Sequence, residues 1–473
     1  MNRMLNLTLI GLLSAVLTFG LSGCSDDDDN PTRPPVTEKA LLRVVHASPD
    51  APAVDLYVND GSQPLIQALG YGATSAYLEI TPATYTIQLR AHGADPMSEP
   101  AFSVQLTVTA RQQITAVAAG LLGSGAADDR FRILALVEDF GDPGTGNAAV
   151  RIVHAAPDAP SVALDIGNDG APELVGFSRF AETGPAGVSL PAGTPLRVGV
   201  WAGEPLARAS VFTTPSLPAG ANLFLIATGL LGDDPAGTGF SLLAIGPTGS
   251  IGFIRQDAKA TVYALHGSPD APPVAIDANG VEVVSSLAFG GLSSALAVWP
   301  GAYDLDFRAA GTSAVAASAA TPYLEPGVQY LAIATGFLGG SPAFQLLPLA
   351  DAFTGSPTDA LVRVVHASPD APAVDVGPVV DGSVAAVGSY TNLAFGQASA
   401  AAGTALPVGN LTVGVAATGT VTPAASFDVT TAAGLRAFAV ACGSLGGTGE
   451  SFRLVLVVAG DDNWAAVQVL PNR

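Results

Sequence analysis

Short apolar stretches separated by turn residues dominate the chain from residue 40 onward. Seven of them follow one another up to residue 140, namely LRVVHA, AVDLYVN, SAYLEI, TYTIQLRAH, FSVQLTV, QITAVAAGL and FRILALV. In each, apolar side chains alternate with polar ones or run briefly without interruption, as they do in strands with one or both faces buried. Seven short strands, spaced by about eight to twelve residues, are typical of a β-sandwich.

The same pattern returns three more times along the chain. A motif His-x-x-Pro-Asp-Ala-Pro occurs four times at intervals of roughly 100 to 112 residues. Later landmarks follow it in fixed order, first an aromatic-small pair such as Tyr71-Gly72, then segments such as TPATYTIQL and AVAAGLLG. The repeated motif residues are His46, Pro49, Asp50, Pro52, His154, Pro157, Asp158, Pro160, His266, Pro269, Asp270, Pro272, His366, Pro369, Asp370 and Pro372.

This period predicts four separate domains. A repeat near 100 residues is far longer than a solenoid repeat, so we expect each copy to close its own core. The sequence predicts an all-β protein with four tandem immunoglobulin-like or transthyretin-like sandwiches, while strand order stays open. We call them units 1 to 4. They are expected at residues 40–140, 148–246, 259–350 and 360–460, with Gly/Pro-rich linkers between them and a C-terminal tail at 461–473.

The N-terminus has the layout of an export signal. Arg3 precedes an apolar stretch from Leu5 to Phe19, and the small residues that follow lead to Cys24. It resembles a bacterial lipoprotein signal peptide over residues 1–23, which implies cleavage before Cys24 and a lipid on its sulfur. Several acyl chains would anchor the protein stably. The alternatives are a plain transmembrane helix and an ordinary secreted protein.

Residues 24–39 are expected to form a tether between this anchor and unit 1. Four consecutive aspartates and three prolines cannot bury a core. By analogy with bacterial lipoproteins, Ser25 after the lipidated cysteine favours the outer membrane. We therefore expect a lipid-anchored protein of the outer membrane, on its periplasmic face or at the cell surface.

The charge balance excludes one class of partner. The 473 residues carry 19 Lys and Arg against 40 Asp and Glu, a formal net charge of -21. Such a chain cannot neutralise a row of phosphates, so we expect no nucleic acid partner. An acidic surface either repels its own kind or collects cations.

The motif histidine is predicted to be structural. Alternation places His46 on the same strand face as Leu42 and Val44, so it ends a strand on its apolar side. A buried imidazole needs a partner, either a loop carbonyl or the aspartate four residues on. The alternative is a metal ligand or general base, but such a site needs several converging groups, and His92 is the only histidine outside the motif. We therefore predict no catalytic residue, metal or cofactor.

Three further features of the sequence have ordinary structural explanations. Cys442 aligns with Ala119, Thr228 and Thr335, which favours a small buried thiol over a nucleophile. Three arginines three residues before the motif histidine, Arg43, Arg151 and Arg363, are expected to form solvated ion pairs. The glycine-rich GLLGSG at 120–125 leads into a hairpin rather than a helix, which does not favour a phosphate site.

Aspartates supply the remaining candidate site. Strand aspartates on an outward face and the acidic loops at 128–130 and 232–235 are candidates for calcium binding, although no segment has the alternating Asp-x-Asp-x-Asp loop. The strand aspartates are Asp55, Asp165, Asp277 and Asp375.

The string RVVHASPDAPAVDLYVNDG, with the later PATYTIQL and AGLLG, resembles the domain of unknown function family 4397. The resemblance covers nearly all of residues 40–460 and is strongest in units 1 and 4. Unit 3 departs with Tyr263 in place of the arginine. The family implies tandem modules in exported bacterial proteins and brings no established activity.

These observations predict a non-catalytic binding, adhesion or scaffolding array held to the membrane by its lipid. Its ligand would be an envelope polysaccharide or another surface protein, and its oligomeric state is left open. The alternative is a calcium-binding surface protein or a hydrolase that uses loop aspartates.

Overall fold

The computed structural model describes residues 38–232, 237–461 and 463–472. The predicted signal peptide, Cys24 and all of the tether up to residue 37 lie outside the described residues. The rest of the tether, Glu38 and Lys39, leads directly into the first strand. The structure confirms the predicted all-β class and the tandem sandwiches.

Unit 1 is a sandwich of two four-stranded sheets. The first sheet has the order β4-β1-β7-β8 and the second β3-β2-β5-β6. β1 and β7 pair in parallel, while all other neighbours in this unit are antiparallel. All seven expected stretches contain strands, and β3 is an eighth. The strands are β1 (Ala40–His46), β2 (Val54–Val58), β3 (Ile66–Leu69), β4 (Leu78–Ile80), β5 (Ala83–Ala91), β6 (Phe102–Val108), β7 (Gln113–Ala119) and β8 (Arg132–Val137).

Unit 2 repeats this topology and adds one strand. Its first sheet has the order β12-β9-β15-β16-β17 and its second β11-β10-β13-β14. The added strand, β17, comes from the segment that the sequence assigned to a linker. The strands are β9 (Asn147–His154), β10 (Val162–Ile166), β11 (Leu174–Phe177), β12 (Val188–Pro191), β13 (Arg197–Ala202), β14 (Ala207–Thr213), β15 (Asn222–Thr228), β16 (Ser241–Gly246) and β17 (Gly249–Ile254).

Unit 3 again has two four-stranded sheets, β21-β18-β24-β25 and β20-β19-β22-β23. Its first and seventh strands pair in parallel, as in units 1 and 2. The strands are β18 (Ala260–His266), β19 (Val274–Ala278), β20 (Val281–Leu287), β21 (Leu296–Val298), β22 (Asp304–Ala309), β23 (Val315–Ala320), β24 (Gln329–Thr335) and β25 (Gln345–Ala350).

Unit 4 has the sheets β29-β26-β32-β33-β34 and β28-β27-β30-β31. The segment 461–473, expected as a tail, supplies β34 at the edge of the first sheet. A 3₁₀ turn at Gly388–Tyr390 is the only helix in the described part of the chain, and no helix there has the length and apolar character needed to cross a membrane. The strands are β26 (Ala360–Ala367), β27 (Val374–Val380), β28 (Ser383–Val384), β29 (Thr404–Leu406), β30 (Gly409–Ala417), β31 (Ala425–Thr431), β32 (Arg436–Cys442), β33 (Arg453–Val458) and β34 (Ala465–Val469).

The two faces of the first sheet are both buried. In β1, Leu42 and Val44 enter the core of unit 1, as the alternation predicted. Val45 on the opposite face is also fully buried, because it packs against Val153 and Ile226 of unit 2. The first sheets of units 1 and 2 therefore pack against each other through their outer faces.

Units 3 and 4 are paired in the same way. Leu265 and Ile333 of unit 3 share an apolar cluster with Val365 and Val440 of unit 4, and all four side chains are buried. We call the two shared clusters the pair cores of units 1–2 and 3–4. Each sandwich thus has its own interior and half of a pair core.

A polar junction connects the two pairs. The Asn168 side chain of unit 2 donates hydrogen bonds to the carbonyl oxygen of Pro300 (2.8 Å) and to the hydroxyl of Tyr323 (3.1 Å) in unit 3. Arg197 of unit 2 forms an ion pair with Glu325 of unit 3 at 2.9 Å. Charged and hydrogen-bonding groups, rather than a shared apolar cluster, therefore join unit 2 to unit 3.

Candidate functional site

The motif histidine lies at the end of the first strand of every unit and hydrogen-bonds within its own motif. The Nε2–H of His46 donates to the carbonyl oxygen of Pro52 at 3.0 Å. The other three imidazoles make the same bond to the second proline of their motifs, at 2.9 to 3.1 Å. A carbonyl oxygen can only accept, so Nε2 carries the proton. Each imidazole is at most 2% exposed.

Burial keeps these imidazoles neutral. It lowers the pKa of all four below the ordinary value of 6.5, and the bond to the proline carbonyl opposes it only in part. The Nδ1 atoms of His46 and His266 accept long hydrogen bonds of 3.4 and 3.3 Å from the amides of Ser48 and Ser268. These two imidazoles are thus held between backbone groups of their own loops, whereas the Nδ1 atoms of His154 and His366 are buried and have no hydrogen-bond partner among the residues that the structure describes.

The motif aspartate binds the backbone of a distant loop, not the motif histidine. The Asp50 carboxylate accepts hydrogen bonds from the amides of Leu122 and Gly123, both at 2.9 Å, in the GLLG loop that follows β7. Asp270 and Asp370 bind the matching pairs of amides in units 3 and 4. In unit 2, Asp158 accepts from the amide of Leu231. The aspartate therefore ties together two loops some seventy residues apart rather than binding the histidine.

The electrostatics of this contact are clearest in unit 4. Burial by itself would raise the pKa of Asp370, but hydrogen bonds from the Ser444 hydroxyl and from the amides of Leu445 and Gly446 outweigh it. The pKa therefore lies below its ordinary value, and the carboxylate is charged. The loop after the seventh strand does bind an anion, but the anion is the protein's own side chain.

The serine and the first glycine complete the loop pair. The Ser48 hydroxyl donates to the carbonyl oxygen of Gly120 at 2.7 Å, and the same bond recurs in units 3 and 4, whereas unit 2 has Ala156. Gly120 has a φ of +87°, and a Cβ there would lie 2.4 Å from the carbonyl oxygen of Arg130. Its counterparts Gly229, Gly336 and Gly443 show the same clash. The position therefore requires glycine.

The prediction that the arginines form solvated pairs is wrong for Arg43 and Arg151. They are 2% and 1% exposed and lie at the pair core of units 1–2. Arg43 donates to the carbonyl oxygen of Gly246 in unit 2, and Arg151 donates back to that of Val137 in unit 1. Glu138 and Glu182 balance the two charges at 3.4 and 3.0 Å.

Units 3 and 4 keep half of this exchange. Arg363 of unit 4 donates to the carbonyl oxygen of Ala350 in unit 3. Tyr263, which replaces the reciprocal arginine, stacks on Trp464 with ring centroids 4.7 Å apart.

Cys442 lies in the same pair core, and burial raises the pKa of its thiol to about 12, so it is not a nucleophile at neutral pH.

The strand aspartates occupy the outer face as expected but are not exposed ligands. Asp55 accepts hydrogen bonds from the amides of Ala68 and Gly93 and lies 2.9 Å from Nδ1 of His92. Asp375 is bound by amides in the same manner, and Asp277 forms an ion pair with Arg308. Asp55 and Asp375 therefore hold loops of the second sheets, whereas Asp277 joins two neighbouring strands, β19 and β22.

The acidic loop at 128–130 binds within its own unit. Asp129 accepts a hydrogen bond from the Ser124 hydroxyl at 2.5 Å. Residues 233–236, which include both aspartates of the 232–235 loop, lie outside the described residues. Within the part of the chain that is described, no three His, Cys, Asp or Glu side chains converge as metal ligands would.

Sequence reasoning missed the pair cores, although a signal was present. The seventh strands, such as NLFLIAT in unit 2 and RAFAVAC in unit 4, are apolar on both faces. A strand with two apolar faces is buried on both sides. That pattern, applied to β15 and β32, indicates that something covers the outer face of each first sheet.

Comparison with known proteins adds the family and little else. No curated protein matches the chain. Among solved structures, the Bacillus anthracis TIE protein aligns over 86% of this chain and 67% of its own, with 11% identity and a TM-score of 0.16, and so low a score carries no argument. The family model for the Domain of unknown function (DUF4397) matches residues 40–165, 260–377 and 360–469, which together are more than half of the chain. The chain therefore belongs to the DUF4397 family.

Proposed function

We propose that this protein is a lipid-anchored array of the bacterial cell envelope that binds, adheres or scaffolds without catalysing a reaction. Its place would be the outer membrane, with the sandwiches on the periplasmic face or at the cell surface. The ligand we propose is an envelope polysaccharide or another surface protein, bound by loops or exposed sheet faces.

The observation that carries this proposal is that the repeated histidine and aspartate of the motif form hydrogen bonds within the protein. In every unit the motif imidazole donates to a proline carbonyl, and the motif carboxylate accepts from loop amides. A general base or a metal ligand needs a free lone pair directed toward substrate or metal. The Nε2 atoms and the carboxylates are already engaged by the backbone, and the unpartnered Nδ1 atoms of His154 and His366 are buried, which supports a structural role for the motif in each domain.

The packing between units supports a scaffolding role. Two pair cores and a polar junction hold neighbouring units in fixed contact, so loops on different units keep a constant spacing. Constant spacing lets several weak sites act on one extended ligand, which raises its apparent affinity without any new contact.

The anchor is tested by Cys24→Ala in the full-length chain expressed in a bacterium that processes lipoproteins. We expect the parent chain in the membrane fraction and the variant in the soluble fraction. Protease treatment of intact cells then distinguishes the cell surface from the periplasmic face. A variant that fractionates with the membrane as the parent does would contradict the lipid anchor.

Ligand binding is tested by pull-down of purified envelope polysaccharide and of surface proteins with the full chain. Binding without turnover, unaffected by His366→Gln, is the expected result. The calcium alternative predicts a melting temperature that rises with added calcium and returns with chelator. The hydrolase alternative predicts that the bound polysaccharide is shortened.

A further inference from the structure

An apolar cavity lies between the two sheets of unit 4. Its volume is about 140 Å³. Protein interiors are packed as densely as organic crystals and leave few voids larger than a water molecule. We propose that this cavity is a binding site for a compact, uncharged apolar molecule of about the size of benzene.

The wall of the cavity defines the chemistry of the ligand. It consists mainly of aliphatic side chains from both sheets, and its hydroxyl groups are already engaged. Tyr390 donates its hydroxyl to the carbonyl oxygen of Val362 at 2.8 Å, and Thr431 donates to that of Pro407 at 2.7 Å. An apolar ligand would gain contacts with this wall. A charged ligand would lose its hydration without finding a partner for its charge. The aliphatic residues of the wall include Val362, Val376, Leu411, Val415, Ala437 and Leu456.

The cavity arises from specific side chains of unit 4, as its register against unit 1 shows. In unit 1, Leu42 of the first strand pairs with Ile114 of the seventh. In unit 4, the equivalent pair is Val362 with Ala437. Both side chains are smaller in unit 4, and the change from isoleucine to alanine alone removes three carbon atoms.

The second sheet shows the same trend. Tyr85 of unit 1 and Tyr303 of unit 3 each place a ring at the start of their strand and donate to the carbonyl oxygen four residues earlier. Leu411 has this position in unit 4 and is smaller. Val415 likewise stands where unit 3 has the buried Phe307.

Units 2 and 3 give the matching comparison. The cavities between their sheets measure about 40 and 60 Å³, less than half of the volume in unit 4. An apolar cavity of about 150 Å³ with aliphatic walls stays dry and admits benzene or xenon in other proteins. Of these three cavities between sheets, only that of unit 4 reaches this size.

The test is calorimetric titration of the full-length chain with benzene. We expect one site per chain. Ala437→Ile gives unit 4 the side chain that unit 1 has at position 114. The added carbon atoms occupy the cavity, so a bound benzene would be overpacked and its affinity should fall at least tenfold. Ala405→Ile adds the same atoms at an exposed position of β29 and should leave binding unchanged.

Absence of benzene binding by the parent chain would overturn the proposal, as would equal binding by Ala437→Ile. Circular dichroism and melting show whether that variant folds. If it does not, Ala439→Val, which adds two carbon atoms at another position of the wall, replaces it. Benzene affinity reduced in Ala439→Val supports the site, and unchanged affinity in a folded Ala439→Val overturns it.

Discussion

The hydroxyl of Thr228, in the seventh strand of unit 2, donates a 2.7 Å hydrogen bond to the carbonyl oxygen of Ala47 in unit 1. Thr335 of unit 3 makes the matching bond to Ala367 of unit 4. Both threonines are fully buried. Each pair of sandwiches is therefore joined by backbone recognition as well as by apolar contact.

Thr228→Val should weaken the pair of units 1 and 2. The substitution keeps the shape of the side chain but leaves a buried carbonyl oxygen without its donor, which lowers the free energy of unfolding by about 1–3 kcal/mol. Urea unfolding measures the change. Thr228→Ser, which keeps the hydroxyl, is the control, and equal loss in the two variants would contradict a role for the bond.

The motif histidines should make the protein acid-sensitive below pH 6.5. Their pKa is lowered in the folded state, so the unfolded chain binds more protons once the pH falls below 6.5. The contribution of the histidines to the free energy of unfolding is therefore fully present above pH 6.5. It is lost as the pH falls toward the folded pKa, by up to about 1.4 kcal/mol per pH unit for each imidazole.

His154→Gln isolates one of these contributions. The glutamine amide can still donate to the carbonyl oxygen of Pro160 but does not titrate. Unfolding free energies between pH 6.5 and 5 should fall less steeply in this variant than in the parent. The same slope in both proteins would show that burial of His154 does not contribute.

Gly336→Ala should strongly destabilise unit 3. The residue has a φ of +89°, and a Cβ would lie 2.3 Å from the carbonyl oxygen of Ala343. Backbone strain and the clash together should lower the unfolding free energy by about 2 kcal/mol or more. Gly339→Ala, three residues on, meets nothing within 4 Å and serves as the control in the same thermal denaturation experiment.

A protease site inserted after Gly144 should cut the chain without separating units 1 and 2. The pair core buries apolar side chains from both units, so the two fragments should elute together from a sizing column even in high salt. Elution as two separate species would contradict the pair core.

A second site, inserted between Ala258 and Lys259, tests the junction of units 2 and 3. The contacts there include the ion pair of Arg197 with Glu325, whose side chains are 39% and 50% exposed. Salt screens the exposed ion pair but not the buried hydrogen bond of Asn168 to Pro300, so rising salt should weaken the association of these fragments, whereas it should not weaken that across the pair core. The two cuts together compare apolar with polar contacts in one molecule.

The sequence predicted the architecture well, because local alternation and repetition are enough to recognise a sandwich and its copies. It placed His46 on the inner face with Leu42 and Val44 for the same reason. It did not predict that Asp50 binds the amides of Leu122 and Gly123, because a contact across seventy residues depends on which strands become neighbours.

Arg43 shows the second limit. Alternation correctly directs it away from the inner face of its own sandwich, yet it cannot say whether water or another unit lies there. Arginine is rarely buried unless it is paired, and this general tendency favoured solvent. The carbonyl of Gly246 and the carboxylate of Glu138 supply the pairing that makes burial of Arg43 tolerable.

The pair cores have a consequence for how such a gene can change in length. An in-frame deletion of one copy leaves an apolar sheet face, such as that of Val45 and Val117, with no neighbour to cover it. Loss or gain of two copies that share a pair core keeps every face matched. Recombination among the repeats should therefore be tolerated in even steps, and odd-numbered products should aggregate or associate as dimers.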